Sequence, residues 1–210
     1  MLGNHGRGFT RAVFGPVARR FVAWGIAPDA VTVAGTVLVS AAALILFPTG
    51  HLAIGALTIG VLALTDSIDG QMARHLGHSS RFGAFLDSTM DRFADAAIFV
   101  GLVLYFVDLL EEAWRMTGLV AALACLVLGG LVSYARAKAE GLGMTAKVGI
   151  AERADRLIVT LVATLAVGLG APTAVLAIAL ILLALASLFT VGQRIASVHH
   201  QSTTEPAEQR

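Results

Sequence analysis

Charged side chains are scarce in this chain of 210 residues, of which only 14% are Asp, Glu, Lys or Arg. The formal net charge is +1, which excludes the strong overall basic field of a nucleic-acid-binding protein. An ordinary soluble domain has about 25% charged residues. Here 57% of the residues are hydrophobic and the mean hydropathy is +0.80. This composition indicates a membrane protein surrounded by a lipid bilayer.

Cysteine is nearly absent as well. Cys125 is the single cysteine, so a disulfide within the chain is excluded, and its apolar neighbours favour a packed small hydrophobe. The basic N-terminus lacks the apolar core and small-residue cleavage site of a secretory signal peptide. We therefore expect this segment in the mature protein.

Long uncharged runs predict six transmembrane helices, because one span needs about 20 apolar residues. The run 30–65 is long enough for two spans and is divided at 48–51, while the run 157–193 is divided at 168–172. Ser80 offers a hydroxyl that can cap the helix after it. The predicted helices are 29–47, 52–74, 80–107, 116–135, one from 151 to the break at 168, and one from that break to 194.

The predicted fold is an all-α polytopic membrane protein with one domain over residues 1–200 and a disordered tail over 201–210. Before the first span, Phe9, Val13, Val17 and Phe21 recur every four residues among several arginines. This pattern predicts an N-terminal amphipathic helix lying in the membrane interface, bent or interrupted at Pro16. An irregular basic tail is the alternative.

The basic residues predict the orientation of the spans. If the six helices alternate in direction, fourteen of the fifteen Lys and Arg residues fall on or near the side that holds both termini, and Arg115 is the exception. The positive-inside rule makes that side cytoplasmic. We expect a multi-pass protein of the plasma membrane with its termini and its active site facing the cytoplasm.

Four aspartates lie at helical spacing near this cytoplasmic edge: Asp66 and Asp69 at i, i+3, and Asp87 and Asp91 at i, i+4. Four close carboxylates repel one another unless a cation compensates them. Oxygen ligands select magnesium, manganese or calcium, and no Cys or His cluster in the sequence suggests zinc or copper. The alternative is that the aspartates pair with arginines, namely Arg74, Arg81 and Arg92.

Small residues and an arginine accompany these aspartates. Gly70 follows Asp69 directly, and Gly83 precedes Asp87 by one turn, which leaves room for a bulky ligand beside the carboxylates. Arg74 offers a planar guanidinium suited to phosphate. Metal, arginine and space together predict a site for a nucleotide diphosphate.

The spacing Asp66-x2-Asp69-Gly70-x2-Ala73-Arg74-x8-Gly83-x3-Asp87-x3-Asp91 resembles the complete signature of the CDP-alcohol phosphotransferases. This resemblance implies that an alcohol displaces CMP from a CDP-linked lipid, here CDP-diacylglycerol. It also implies two metal ions, Mg2+ or Mn2+, bridged by Asp66 and Asp87. Asp69 would bind the first ion and Asp91 the second, and Asp91 would also be the general base.

For the CDP-diacylglycerol site the resemblance points to seven residues, Asp29, Ala30, Val31, Thr32, Gly70, Arg74 and Ser80. The family often has Asn where this chain has Asp29. The alternative for Thr32 is a simple residue of the first helical turn.

The acceptor is predicted from a second basic set at the ends of later helices. The segment from Ser133 to Arg156, with SYARAKAE and ERADR, is similar to the actinobacterial phosphatidylinositol phosphate synthases. That similarity implies an inositol phosphate acceptor and a phosphatidylinositol phosphate product. The residues expected to bind the acceptor phosphate are Arg136, Lys138, Arg153 and Arg194. Alternatively, these cations anchor lipid headgroups or form ion pairs such as Glu152 with Arg156.

Two other functions remain open on the sequence. A phosphatidylglycerophosphate synthase would use glycerol 3-phosphate at the same catalytic core. A divalent-cation transporter would also carry facing aspartates, but near the bilayer midplane and without Arg74 or the paired glycines. The family resemblance further implies a homodimer.

Overall fold

In a computed structural model of the chain, the described residues form six long α-helices. The structure describes residue 20 and residues 22–75, 80–109 and 113–204, with the backbone alone for 64–75 and 204. Within these residues there is no strand, which agrees with the all-α prediction. The helices are α1 Pro28–Leu46, α2 Leu52–His75, α3 Arg81–Asp108, α4 Arg115–Gly141, α5 Arg153–Gly168 and α6 Thr173–Thr204.

Local sequence signals account for several helix starts. Pro28 occupies the first turn of α1, where its missing N–H costs nothing. Ser80 caps α3 as predicted, because its Oγ accepts a hydrogen bond from the Gly83 N–H at 2.8 Å. At α5, Glu152 and Asp155 form a reciprocal capping box. Loop and cap residues therefore fix where three of the helices begin.

Two predicted helix ends are wrong. We expected α4 to end at residue 135 and α6 at residue 194, but they continue to Gly141 and Thr204. The length of an uncharged run indicates how far the apolar part of a helix extends. The helix itself can continue through charged residues of good helix propensity. α4 stops only where Gly143 adopts a positive φ of 76°. The last turn of α6 also enters the segment 201–210, for which disorder was expected.

The helices pack into a closed ring in the order α1, α2, α5, α6, α4, α3. Apolar side chains at the helix interfaces are fully buried, including Phe47, Ile59, Leu102, Phe106 and Leu180. In the last third of α3, Gly101 lies against the backbone of α1, and a Cβ there would come within 2.9 Å of the Ala43 carbonyl carbon. At the other end of the pair, the first turns of α1 and α3 also adjoin, because a Cβ on Gly83 would lie 3.4 Å from Asp29 Oδ1.

The outer surface is apolar while arginines are buried inside. Ile45, Val162 and Leu182 are each about 60% exposed, whereas Arg156 and Arg194 are almost fully buried. Such a surface suits lipid and not water. Among the described residues, α1, α4 and residues Thr173–Thr203 of α6 are long and apolar enough to cross a membrane, and α2 has a shorter apolar part at Leu52–Ala63. The predicted N-terminal interfacial helix lies outside the described residues.

Candidate active site

Asp87 and Asp91 share a narrow cleft formed by four helices. The cleft is bounded by Thr32 and Thr36 of α1 and by Ala63 of α2, and Arg153 of α5 also lines it. The two aspartates are one turn apart on α3, so the i, i+4 spacing places them on one face as predicted. We call this space, between α1, α2, α3 and α5, the donor cleft.

The other two aspartates belong to α2. The side chains of Asp66, Asp69, Gly70 and Arg74 lie outside the described part of the structure. Ala63 faces the donor cleft, and position 66 comes one turn later on the same helix. Among the described side chains, no group of three acidic, histidine or cysteine residues forms a complete metal site. The two described carboxylates provide oxygen ligands of the kind that magnesium and manganese prefer.

The predicted nucleotide-binding residues of α1 and α3 converge. A Cβ on Gly83 would lie 3.4 Å from Asp29 Oδ1 and 3.0 Å from Ser80 Oγ, so these three positions adjoin. Ala30 and Val31 belong to the same first turn of α1, and Thr32 Oγ1 donates to the Pro28 carbonyl at 3.3 Å. Two helix N-termini meet here, and the positive ends of their dipoles favour an anion between them.

A second cleft opens on the other side of Asp91. It has a volume of about 380 Å³ and lies between α3, α4, α5 and α6. Five arginines line it against three carboxylates, Asp91, Glu140 and Glu152, so its charge favours an anionic ligand. The arginines are Arg92, Arg136, Arg153, Arg156 and Arg194. We call this space the acceptor cleft.

Three of the four predicted acceptor residues meet in this cleft. Arg136, Arg153 and Arg194 line it, whereas Lys138 is exposed and is not among the lining residues. Positions 136 and 138 are two residues apart on α4 and therefore point about 200° away from each other. The sequence pattern SYARAKAE alone did not predict which of these two cations lines the cleft.

The structure adds three residues that the sequence analysis did not select: Arg92 and Arg156 in the cleft, and Asp95 behind it. Arg156 Nη2 lies 3.0 Å from Asp95 Oδ2, so Arg156 pairs with Asp95, and the suggested pairing with Glu152 is wrong. Asp95 follows Asp91 by one turn and continues the stripe from Gly83 through Asp87. That spacing was a usable signal for Asp95.

Asp91 and Arg153 line both clefts. Arg153 Nη1 lies 2.8 Å from Asp91 Oδ1, and Arg92 Nη2 lies 3.8 Å from Asp91 Oδ2. The alternative that the aspartates pair with arginines therefore holds in part for Asp91. Because Asp91 borders both spaces, its carboxylate is accessible from either cleft.

Backbone contacts hold Arg194 at the floor of the acceptor cleft. Its Nε donates to the Val148 carbonyl at 3.0 Å, and its Nη1 donates to the Val132 carbonyl. Arg136 is more exposed and pairs with Glu140 at 3.0 Å on the same helix. Arg194 is thus fixed by two segments of the fold, whereas the described partner of Arg136 belongs to the same helix.

The six-helix fold and the divided site define a class of protein. The sequence model of the CDP-alcohol phosphatidyltransferase family matches residues 25–196, and the chain belongs to this family. The family resemblance read from the signature is thereby confirmed. Membership also favours an enzyme over the divalent-cation transporter.

Within the family, the chain is similar to proteins named phosphatidylinositol phosphate synthase. The one from Cutibacterium acnes is 45% identical over 93% of this chain and 96% of its own length. The one from Streptomyces avermitilis is 39% identical over 99% of this chain and 86% of its own length. The predicted similarity to this actinobacterial group is confirmed.

Solved structures agree with these relatives. The Mycobacterium tuberculosis phosphatidylinositol phosphate synthase with CDP-DAG bound has a TM-score of 0.85 and 36% identity, covering 93% of this chain and 96% of that chain. Its complex with manganese and citrate has a TM-score of 0.83 and 38% identity, covering 91% and 90%.

Proposed function

We propose that this enzyme transfers the phosphatidyl group of CDP-diacylglycerol to a hydroxyl of an inositol phosphate, giving phosphatidylinositol phosphate and CMP. The observation that carries the proposal is the position of Asp91 on the boundary of the two clefts. A lipid-linked diphosphate on one side and a hydroxyl on the other would meet at this carboxylate. The names of the similar relatives support the same reaction.

The arginines of the acceptor cleft support an acceptor that carries its own phosphate. Guanidinium groups bind phosphate through paired hydrogen bonds, and three of them, from Arg136, Arg153 and Arg194, come from three different helices. Glycerol 3-phosphate has the same phosphate chemistry and is the runner-up acceptor. The volume of about 380 Å³ leaves room for the larger inositol ring.

The described carboxylates fit a divalent metal site. Asp87 and Asp91 would hold the metal together with Asp66 and Asp69 of α2, and we propose Mg2+ or Mn2+ at two ions per active site. A manganese complex of the M. tuberculosis relative supports the metal class. Such ions supply charge stabilisation at the phosphoryl oxygens and at the attacking and leaving oxygens.

The residues of the chain divide the remaining work. The N-terminal turns of α1 and α3, with Asp29 to Thr32, Ser80 and Gly83, would bind the cytidine diphosphate part, together with Gly70 and Arg74. Asp91 accepts the proton of the attacking hydroxyl as general base. A new oxygen–phosphorus bond forms to the acceptor, and the bond from phosphorus to CMP breaks. This needs no covalent enzyme intermediate.

The membrane arrangement is part of the proposal. We propose six transmembrane helices in the plasma membrane, with the active site and both termini at the cytoplasmic face, and a homodimer. The distribution of Lys and Arg supports the orientation. The apolar exterior of the helix ring supports the spans.

The test is release of CMP by the purified protein supplied with CDP-diacylglycerol and Mg2+ or Mn2+. Inositol phosphate, inositol, glycerol 3-phosphate and serine are offered in separate reactions. We expect release with inositol phosphate, loss of release with EDTA, and recovery when the metal is restored. If none of the four acceptors supports CMP release, the proposed enzyme activity is contradicted. If glycerol 3-phosphate is preferred, the proposed acceptor is contradicted.

A further inference from the structure

Asp95 lies behind the acceptor cleft and contacts three of its arginines. Its Oδ1 is 3.3 Å from Arg153 Nε, while its Oδ2 is 3.0 Å from Arg156 Nη2 and 3.8 Å from Arg92 Nη2. All three arginines line the acceptor cleft, but Asp95 is not among the lining residues. Its side chain is only 16% exposed. One carboxylate therefore anchors three cations that face the predicted ligand.

The three contacts come from two helices. Arg92 is on α3 with Asp95, and Arg153 and Arg156 are in the first turn of α5. Arg156 is almost fully buried and lies against α4, where a Cβ on Gly129 would be 3.3 Å from its Nε. A buried guanidinium is costly unless a counter-charge accompanies it. Asp95 supplies that charge and links the start of α5 to α3.

Asp95 also shares Arg153 with Asp91. Arg153 uses Nη1 for Asp91 and Nε for Asp95, so the two carboxylates hold it from two sides. Without the charge of Asp95, the three arginines would repel one another, and Arg92 and Arg153 would shift toward Asp91, the other carboxylate that both contact. The guanidinium groups would then lose the geometry in which they face the cleft.

We propose that Asp95 is a positioning residue for the phosphate of the acceptor, a role that rests on the proposed transfer to a phosphorylated alcohol. It acts through Arg92, Arg153 and Arg156 and touches neither substrate. Its loss should therefore weaken binding of the acceptor far more than binding of the donor, because, of the three arginines, only Arg153 also lines the donor cleft.

The test compares Asp95→Asn with Asp108→Asn, a matched change at the exposed far end of the same helix. In Asp95→Asn we expect the KM for inositol phosphate to rise at least about tenfold, because charged hydrogen bonds of this kind are lost. The Ki of inorganic phosphate, added as a competitor of the acceptor, should rise by the same factor. The KM for CDP-diacylglycerol should stay within about twofold of the parent value, and Asp108→Asn should match the parent.

The outcomes separate the two proposals. If the parent protein releases no CMP with inositol phosphate, the proposed function fails. If the parent is active and Asp95→Asn leaves the KM for the acceptor unchanged, only the proposed role of Asp95 fails. The same holds if the KM values for donor and acceptor rise by equal factors. If Asp95→Asn is not recovered folded, Asp95→Glu decides, since it keeps the charge but moves it by one methylene. We expect it to raise the acceptor KM about threefold, and no rise would overturn the proposal.

Discussion

At the scale of single residues, Asp91 combines close contacts with two arginines and access to two clefts. Arg153 approaches one of its oxygens at 2.8 Å and Arg92 the other at 3.8 Å, and its side chain is 23% exposed. Such a carboxylate is compensated by cations and is still open to two clefts. These are the conditions under which one group can contribute to metal binding and also accept a proton.

Asp91→Asn keeps the shape of the side chain but removes the basic carboxylate. We expect turnover to fall by about 10²–10⁴-fold, the range for loss of general base catalysis. Binding of CDP-diacylglycerol should persist, because the N-terminal turns of α1 and α3 are unchanged. CMP release and equilibrium binding of the donor measure the two effects. Equal loss of binding and turnover would count against Asp91 as the base.

Arg153 and Lys138 provide a matched pair of cations. Both were predicted to bind the acceptor phosphate, but only Arg153 lines the acceptor cleft. We expect Arg153→Gln to raise the KM for inositol phosphate by about tenfold or more, since a charged hydrogen bond to phosphate is lost. Lys138→Gln should leave it unchanged. A comparable rise in both variants would show that general positive charge, and not the geometry of the cleft, attracts the acceptor.

At the scale of elements, α6 organises the segment between α4 and α5. Thr190 Oγ1 accepts hydrogen bonds from the N–H groups of Ile150 and Ala151 at 3.2 Å each. Gln201 Oε1 accepts from the Thr145 N–H at 2.9 Å, and its Nε2 donates to the Thr145 carbonyl at 2.6 Å. Together with Arg194, these side chains form hydrogen bonds with backbone groups of a loop that lies outside any helix. α6 thus holds the loop that leads to Arg153, and its extension beyond residue 194 contributes the contact of Gln201 with Thr145.

The crossing of α1 and α3 depends on Gly101. Gly101→Ala would place a methyl group against the Ala43 carbonyl, where the backbone cannot move easily. We expect a loss of about 1–3 kcal/mol of stability and a lower Tm in detergent, as for other overpacked interiors. Gly130→Ala on α4 is the control, because its Cβ would meet open space. Equal Tm values for the two variants would contradict the close crossing.

Element starts were more predictable than element ends. The uncharged run that begins at residue 30 placed the start of α1, and the cap signal at Ser80 placed the start of α3, each within about one residue of the observed bound. The end of α4 follows the local turn at Gly143, and the last part of α6 contacts a distant segment through Gln201 and Thr145. An uncharged run records neither feature. The pair of Arg156 and Asp95 is separated by 61 residues, so only the folded ring reveals it. The shared face of Asp87 and Asp91 could be predicted because i, i+4 spacing is local.

At the scale of the whole molecule, the ring of helices separates two environments. Exposed apolar side chains cover the outside, and the arginines and aspartates converge inside at one end of the ring. A donor with acyl chains and an acceptor from water must both reach Asp91. The narrow donor cleft between α1, α2, α3 and α5 and the larger acceptor cleft between α3, α4, α5 and α6 approach Asp91 from different sides.

A competition experiment tests this account most directly, because the ratio of products from one reaction reports the ratio of kcat/KM values. The purified protein receives CDP-diacylglycerol and Mg2+ with equal concentrations of inositol phosphate and glycerol 3-phosphate, and the lipid products are measured by mass spectrometry. The account predicts that phosphatidylinositol phosphate forms in excess, with one CMP released per lipid made. An excess of phosphatidylglycerophosphate, or CMP release with neither lipid, would contradict it.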